Sequence, residues 1–269
     1  MIKEFLKPDT LEQALQFFED HQGLAGFFGN GVFINNHKYN LNYETVISLK
    51  NLGLDRLVRG PVKKSRGVTI GALVTFQNLI DHDNTPRILK QAALHEPSRL
   101  IRNMKTIGGD ISAGPVLSGL SPCLVALSAR VQKKDLESIL LEDYLNSNRK
   151  GLVLNIFIPD KDVKCKIKKV CLQSNSPAIV TAAVSMHYDQ KKKIEKIIIA
   201  VREIGKKVIR LGKIEKQLEN GSINAVDNVS IEKAVFKQVN PVSDINGTSE
   251  YKKYIAGVAV ADCINQCLA

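Results

Sequence analysis

A chain of 269 residues, 44% apolar and 24% charged, has the composition of an ordinary globular protein and enough apolar mass for two domains or subdomains. Its longest apolar stretches, such as "YIAGVAVADC", are too short and too polar at their ends to span a bilayer, and "MIKEFLKPDT" lacks the apolar segment of a signal peptide, so a cytoplasmic protein with no membrane partner is expected. The net charge of +11 would suit nucleic acid, but aromatics are only 6% and none interleave with the lysine-rich runs, so no nucleic-acid partner is expected.

In chain order, "DTLEQALQFFEDH" opens on an N-cap at Asp9 or Thr10 and sets Leu11, Ala14, Leu15 and Phe18 at helical spacing. The run "LAGFF" reads as a strand ending in "GNG", and "TVISL" and "VTIGAL" are further strands. "PRILKQAALHE" is a helix, as is "LSPCLVALSA", entered at Ser121-Pro122 because proline is tolerated in a first turn. From Leu152 five strand-like runs follow in succession: "LVLNIFIP", "CKIKKVCL", "AIVTAAVSMHY", "KIEKIIIAVREI" and "KVIRLG". Alternation in "TAAVSMHY" and "IIIAVREI" predicts a sheet with one face covered. Helical segments "KIEKQLEN", "SIEKAVFKQV" and "SEYKKYIAGVAVADCINQCL" close the chain. The class is α+β, with a boundary near "IPDKDVK" that divides residues 1–160 from 161–269.

"DQKKKIEK" lies between two alternating runs, where a solvated hairpin tip belongs; a basic surface docking an acidic protein is the other reading. The five cysteines include no CxxC pair. Cys263 and Cys267 share a helix face, either as two buried thiols or as half of a metal site that no other His or Cys cluster completes. Cys165 and Cys171 read as strand residues, and no metal or cluster ligands are assigned to this chain.

No hydrolase signature is present: the serines of "VLSGLS" and "SNSPA" do not form a GxSxG elbow, and the histidines lie singly. "GFFGNG" is not GxGxxG, which disfavours a Rossmann site. What remains is a pair of glycine-bearing loops, "FFGNGVFIN" (27–35) and "TIGGDISAG" (106–114). Each is either a tight turn or an anion-binding nest of backbone N–H groups that a diphosphate can approach closely.

Several ordered stretches carry a resemblance. "FLKPDTLEQALQFF" is similar to F-x-x-P-x-[ST]-x-x-E-A-x-x-x-[LF], and "VTIGALVTFQNLI" to I-G-A-x-x-T-x-x-x-L. "LIRNMKTIGGDISAGPVLSGLSPCLVALSARVQ" follows I-R-N-x-x-T-I-G-G-N with its downstream D-x-x-P segment in order and spacing. "LVLNIFIP", "IVTAAVSM" and "EYKKYIAGVAVADCI" continue the likeness. Over nearly its full length the chain resembles the FAD-binding (medium) subunit of the molybdenum hydroxylases, which include xanthine dehydrogenase and aerobic carbon monoxide dehydrogenase. Within that family it looks closest to the short bacterial subunits linked to purine-type hydroxylases. The resemblance implies a two-lobed FAD-binding domain of the vanillyl-alcohol-oxidase-like fold, then an antiparallel sheet with helices. It implies a first flavin loop at Phe27, Phe28, Gly29, Asn30, Gly31 and Val32 and a second at Thr106, Ile107, Gly108, Gly109 and Asp110, with Leu154 near the ring and Lys169 a cofactor-binding basic residue on the following strand. No catalytic residue is implied. The molybdenum cofactor and iron–sulfur clusters belong to partner subunits, and FAD passes electrons to NAD or another acceptor.

The chain departs from the pattern at Val32 and Phe33, at Asp110 where the family has Asn, and at Gly119 where it has Asp. A carboxylate at Asp110 beside a diphosphate would repel it unless turned toward a ribose or ribityl hydroxyl, so Asp110→Asn is expected to leave binding unchanged or tighten it. Two alternatives stand beside the electron-transfer reading: a scaffold subunit that kept the fold without FAD, and a standalone flavin reductase with its own proton donor.

Overall fold

The computed structural model describes residues 2–21, 23–35, 43–62, 65–113, 119–134, 138–147, 151–191, 193–203, 207–221 and 227–269. It begins with β1 (Glu4–Leu6), α1 (Leu11–Asp20), β2 (Ala25–Phe28) and β3 (Thr45–Ser48), the strands forming a parallel sheet in the order β1-β3-β2. Thr10 is the N-cap of α1, its hydroxyl accepting the Gln13 N–H. The apolar face of α1 then buries Ala14 and packs Phe17 and Phe18 against Ala25 and Ile47 of the sheet.

The next strands, β4 (Leu57–Val62) and β5 (Ser65–Gly71), form a hairpin and lead into α2 (Phe76–Asp81), α3 (Arg87–Leu94), α4 (Arg99–Met104), α5 (Ile107–Ser112) and α6 (Ser121–Ala126). They are followed by β6 (Arg130–Lys133), β7 (Ser138–Leu140), α7 (Leu141–Asn146) and β8 (Val153–Pro159). These strands make an antiparallel sheet in the order β4-β5-β8-β6-β7. "LVLNIFIP" thus returns to the centre of a sheet begun near residue 57. A continuous apolar core lies beneath, from Val68 and Ile70 through Phe76, Leu89 and Ile107 to Leu124 and Ile156.

The last unit holds β9 (Lys164–Val170), β10 (Val180–Tyr188), β11 (Ile194–Glu203) and β12 (Ile209–Arg210) in an antiparallel sheet ordered β12-β11-β10-β9. Then come α8 (Gly212–Leu218), α9 (Asn228–Gln238) and α10 (Ser249–Leu268). The β10–β11 connection is the hairpin expected of "DQKKKIEK", closed by Asp189 N–H donating to the Lys193 carbonyl; Lys192 at its tip lies outside the described residues.

The expectation of one covered face is corrected here: every residue from Val180 to Met186 is buried. Ala182, Val184, Ile199 and Val201 join the α10 side, while Ala200 belongs to the core built by the preceding unit. The polar members of the alternation do not face water. Ser185 donates its hydroxyl to the Ala126 carbonyl at the end of α6, 2.6 Å away, so a small hydroxyl satisfies an orphan helix carbonyl at the junction of the two units. Cys263 and Cys267 are buried thiols directed at β10 carbonyls of Ala182 and Val184. Burial pushes both thiols up, Cys267 to about 12.

The open side of β11 is closed by carboxylates rather than by another full strand. Glu215, buried in α8, accepts the Ile199 N–H at 2.8 Å and holds the Arg210 guanidinium through Nε and a second nitrogen at 2.8–3.0 Å. Arg210 also reaches Glu142 of α7 at 3.3 Å, tying the last unit to the preceding one. Glu215→Ala leaves a strand N–H and a cation without their acceptor, and should lower stability by about 1.5–3 kcal/mol, measured by urea unfolding; Glu142→Ala, whose pair is more exposed, should cost less.

Candidate functional site

At the end of β2 the two phenylalanines diverge, as strand neighbours must. Phe27 stacks on Phe18 of α1, with ring centroids 4.6 Å apart, and belongs to the apolar packing around Leu49 and Leu154. Phe28 turns to the other face, edge-on to Phe5, and its ring lies against Gly31. Gly31 has a φ of +78° and is enclosed: a Cβ there would sit 2.6 Å from the Asn35 amide nitrogen and 2.7 Å from the Phe28 ring. A side chain at this position is excluded by conformation and by space. Val32 follows, half-buried.

The second glycine segment is not a loop, which corrects the sequence reading. Thr106 is an N-cap, accepting the Gly109 N–H on its hydroxyl at 3.1 Å, and Ile107–Ser112 is the short helix α5. Its backbone donors are already committed. The Ile107 N–H goes to the Val74 carbonyl, that of Gly108 to Ala72, and that of Asp110 to Thr106. Of the two readings of this segment, a nest of free amides does not hold at 107–110, because the segment is stitched to the chain leaving β5. On the first loop, among the described residues, the N–H groups of Asn30 and Gly31 have no acceptor within the chain.

The two glycine segments do meet. A Cβ on Gly29 would come 3.1 Å from the Thr106 hydroxyl, and the Asn30 side chain donates to the Met104 carbonyl at 3.0 Å. Gly108 faces inward, where a Cβ would strike Ala72 at 2.6 Å, while Gly109 is exposed and meets only the Thr106 hydroxyl. Leu154 stands behind them on β8. Its carbonyl accepts the Ala72 N–H at 2.9 Å and its side chain packs with Leu49 and Leu73. Lys169 is set apart on β9, with its ammonium donating to the His95 carbonyl just past α3.

Asp110 does not face solvent. It is 2% exposed, and its carboxylate accepts the N–H groups of Gly119 and Leu120 at 3.3 and 3.2 Å and pairs with Lys105 at 2.9 Å. The repulsion expected from the sequence does not arise, because the charge is turned into the protein and neutralised there. Sequence reasoning missed Lys105, which pairs with this carboxylate, and the buried Arg202, whose charged form it favours. The signal for Arg202 was its place on the same strand face as Ile198 and Ala200, where a charge inside an apolar run demands a counter-charge.

A separate cleft of about 650 Å³ opens where β8 passes to β9, lined by Arg59, Arg87, Asp160, Lys161 and Cys165 among others; it contains none of the glycine-segment residues.

Residues 2–161 match the family described as FAD binding domain in molybdopterin dehydrogenase, and 167–267 match the CO dehydrogenase flavoprotein C-terminal domain. The chain belongs to this flavoprotein family. An uncharacterized protein of Escherichia coli K12, YgfM, is 34% identical over 269 residues, covering 99% of this chain and 97% of that one. The glyceraldehyde dehydrogenase medium chain of Sulfolobus acidocaldarius is 26% identical, covering 94% of each chain. Among solved structures, carbon monoxide dehydrogenase from Hydrogenophaga pseudoflava superposes with a TM-score of 0.86 at 18% identity over 100% of this chain and 98% of that one. Quinoline 2-oxidoreductase from Pseudomonas putida 86 gives 0.83 at 16%, covering 99% and 96%. The fold is thus that of the flavoprotein subunits, with an FAD-binding domain followed by an antiparallel-sheet domain. No helix among the described residues is long and apolar enough to cross a membrane.

The residues present fit FAD. Glycine stands at both points where the segments approach, the exposed side of Gly109 is open, and amide donors are available at Asn30 and Gly31.

Just past α3, burial and then the neighbouring Lys169 lower His95 from 6.5 to about 4. The folded chain therefore binds fewer protons there than the unfolded chain, and this residue's contribution to stability is lost as pH falls from about 6.5 toward about 4. Melting temperatures should drop across that window, and His95→Asn should flatten that part of the profile.

Proposed function

We propose that this chain is the FAD-holding electron-transfer subunit of a molybdenum hydroxylase of the xanthine dehydrogenase type, working in the cytoplasm, with residues 1–160 as its FAD-binding domain and 161–269 as its C-terminal domain. FAD, when bound, collects electrons delivered singly from iron–sulfur clusters and hands them in pairs to NAD or another acceptor. The clusters and the molybdenum cofactor reside on separate iron–sulfur and molybdenum-binding subunits, where the substrate is hydroxylated. Two relatives support an assembly of this kind by their names, one a dehydrogenase medium chain and the other a dehydrogenase complex subunit.

The observation that carries the reading is the close approach of Gly29 to Thr106 and the hydrogen bond from Asn30 to Met104, which bring the two glycine segments together. In this reading the amides of Asn30 and Gly31 hold the diphosphate, and Phe28 and Val32 give the first wall. Thr106, Ile107, Gly108 and Gly109 shape the second, while Leu154 supplies apolar surface. Phe27, Asp110 and Lys169 act from behind, fixing the segments that bear the contacts. No side chain of the cleft is required as general acid or base; the protein orients the cofactor and excludes water from it.

The test is the visible absorbance of the purified chain, followed by titration of FAD into the stripped protein. A bound or rebinding flavin supports the reading, and a folded, colourless protein that ignores added FAD replaces it with the scaffold. Gly109→Val puts a branched side chain against the Thr106 hydroxyl and across the open face of α5. It should weaken FAD at least about tenfold, equivalent to about 1.4 kcal/mol, while urea unfolding of the C-terminal unit stays unchanged.

A further inference from the structure

We propose that Arg102 is a positioning residue for FAD: its guanidinium holds α4, a helix that buries no side chain, where the Met104 carbonyl meets Asn30 and the second glycine segment begins. This rests on the FAD reading only in naming what the two segments hold.

Apolar packing does little to fix α4. Its 6 residues fall well short of the length at which a helix stands alone in water, and none of them is buried. Leu100 and Met104, one turn apart, are 78% and 47% exposed, and Ile101 is 39% exposed, so the apolar side chains look outward and remove little surface from water. Arg102 lies on the opposite side of the helix from Leu100, as a spacing of two residues requires. Its Nε donates to the Gln77 side-chain oxygen of α2 at 3.1 Å, and one terminal nitrogen donates to the Glu96 and Pro97 carbonyls just past α3, at 2.8 and 3.0 Å. Gln77 is itself oriented by Asp81, one turn on, at 2.9 Å.

The last turn of α4 touches both glycine segments. Asn30 donates to the Met104 carbonyl at 3.0 Å, which ties the first segment to the end of this helix. The next residue, Lys105, offers its carbonyl to the Phe76 N–H at 2.9 Å, and Thr106 bridges to Thr75 before capping α5. Arg102 and Lys105 therefore grip α2 at neighbouring residues, Gln77 and Phe76, while the Glu96 and Pro97 carbonyls hold Arg102 from the turn after α3. Without the guanidinium, α4 keeps its ends but loses the side-chain bonds that fix its body, and the Met104 carbonyl is no longer held in place for Asn30. A lysine reaches a carbonyl but lacks the planar fork of donors that serves the Gln77 oxygen and two carbonyls together.

The test uses the full chain without FAD and then with it. Hydrogen exchange is followed at the amides of residues 102–105 in the parent, Arg102→Met and Arg102→Lys, with β10 as an internal reference; FAD affinity and dissociation rate are then measured on each. The expected result is exchange at 102–105 faster by about tenfold or more in Arg102→Met, little change in β10, and FAD weakened by about fivefold or more, chiefly through faster dissociation. Arg102→Lys should recover part of both. Unchanged exchange at 102–105, an increase shared equally by β10, or faster exchange with FAD held as tightly as by the parent overturns the proposal. If the parent itself does not bind FAD, the functional reading fails, while the exchange comparison still decides whether Arg102 fixes α4. Should Arg102→Met not fold, Gln77→Leu removes the Nε acceptor alone and should raise exchange at 102–105 by about threefold, with faster FAD dissociation, under the same criteria.

Discussion

The site depends on how closely the backbone at Gly108 approaches Ala72. A Cβ on Gly108 would lie 2.6 Å from the Ala72 methyl and 2.8 Å from its carbonyl oxygen, closer than packed atoms come. That approach permits the Gly108 N–H to reach the Ala72 carbonyl, while the Ala72 N–H reaches Leu154 on β8. α5 is thereby fastened to the exit of β5 and the middle of the sheet, and Thr106 at its head is delivered opposite Gly29. The adjacent glycines have different tasks. Gly108 lets two pieces of backbone touch inside the protein, and Gly109 leaves the outer surface of the same turn bare.

Charge is distributed on the same logic. A chain with a net +11 has many cations to place, and most are solvated, but a few are tied into ion pairs where units join or where helices begin. Arg210, itself partly exposed, binds Glu215 of its own unit and Glu142 of the neighbouring one, and the buried Lys252 near the head of α10 reaches Asp244. The Arg210–Glu142 pair crosses between units and favours the docking arrangement in which both charges are met. The two-sided burial of β10 gives the junction its area. Ser185 and the Arg210–Glu142 pair give it its register.

The regular elements were legible because they are long. α10 runs for 20 residues and β11 for 10, enough for a period to show. By contrast α2, α4 and α5 span 6 residues each, fewer than two turns, and no periodicity can declare itself at that length. Their local signals were the capping residues Thr75, Ser98 and Thr106, and α2 and α5 begin where the chain is also bonded to another segment. The second face of the C-terminal sheet was hidden for a related reason. Thr181, Ala183 and Ser185 are what a strand shows to water, and also what it shows to a closely packed helix end with a carbonyl to satisfy. Sequence carries the size and polarity of those residues but not the Ala126 carbonyl waiting for one of them. For Asp110 it carried the charge and not the direction, which is set by amides nine and ten positions further on.

Two departures from the family pattern then become one. Asp110 and Gly119 stand as separate departures in the sequence; in the structure the carboxylate of one accepts the backbone N–H of the other. A side chain at 119 would meet open space, so nothing packed there depends on one. The acidic group has in effect been supplied from inside α5, where it also neutralises Lys105. The repulsion anticipated at Asp110 falls away, and Val32 and Phe33 remain as departures on the first segment. They lie on the segment that still has amide donors to offer. On the FAD reading proposed above, the first segment provides backbone hydrogen bonds and the second provides shape. Side-chain substitutions in the first segment are compatible with that division so long as Gly31 keeps its positive φ, because the donors there belong to the main chain.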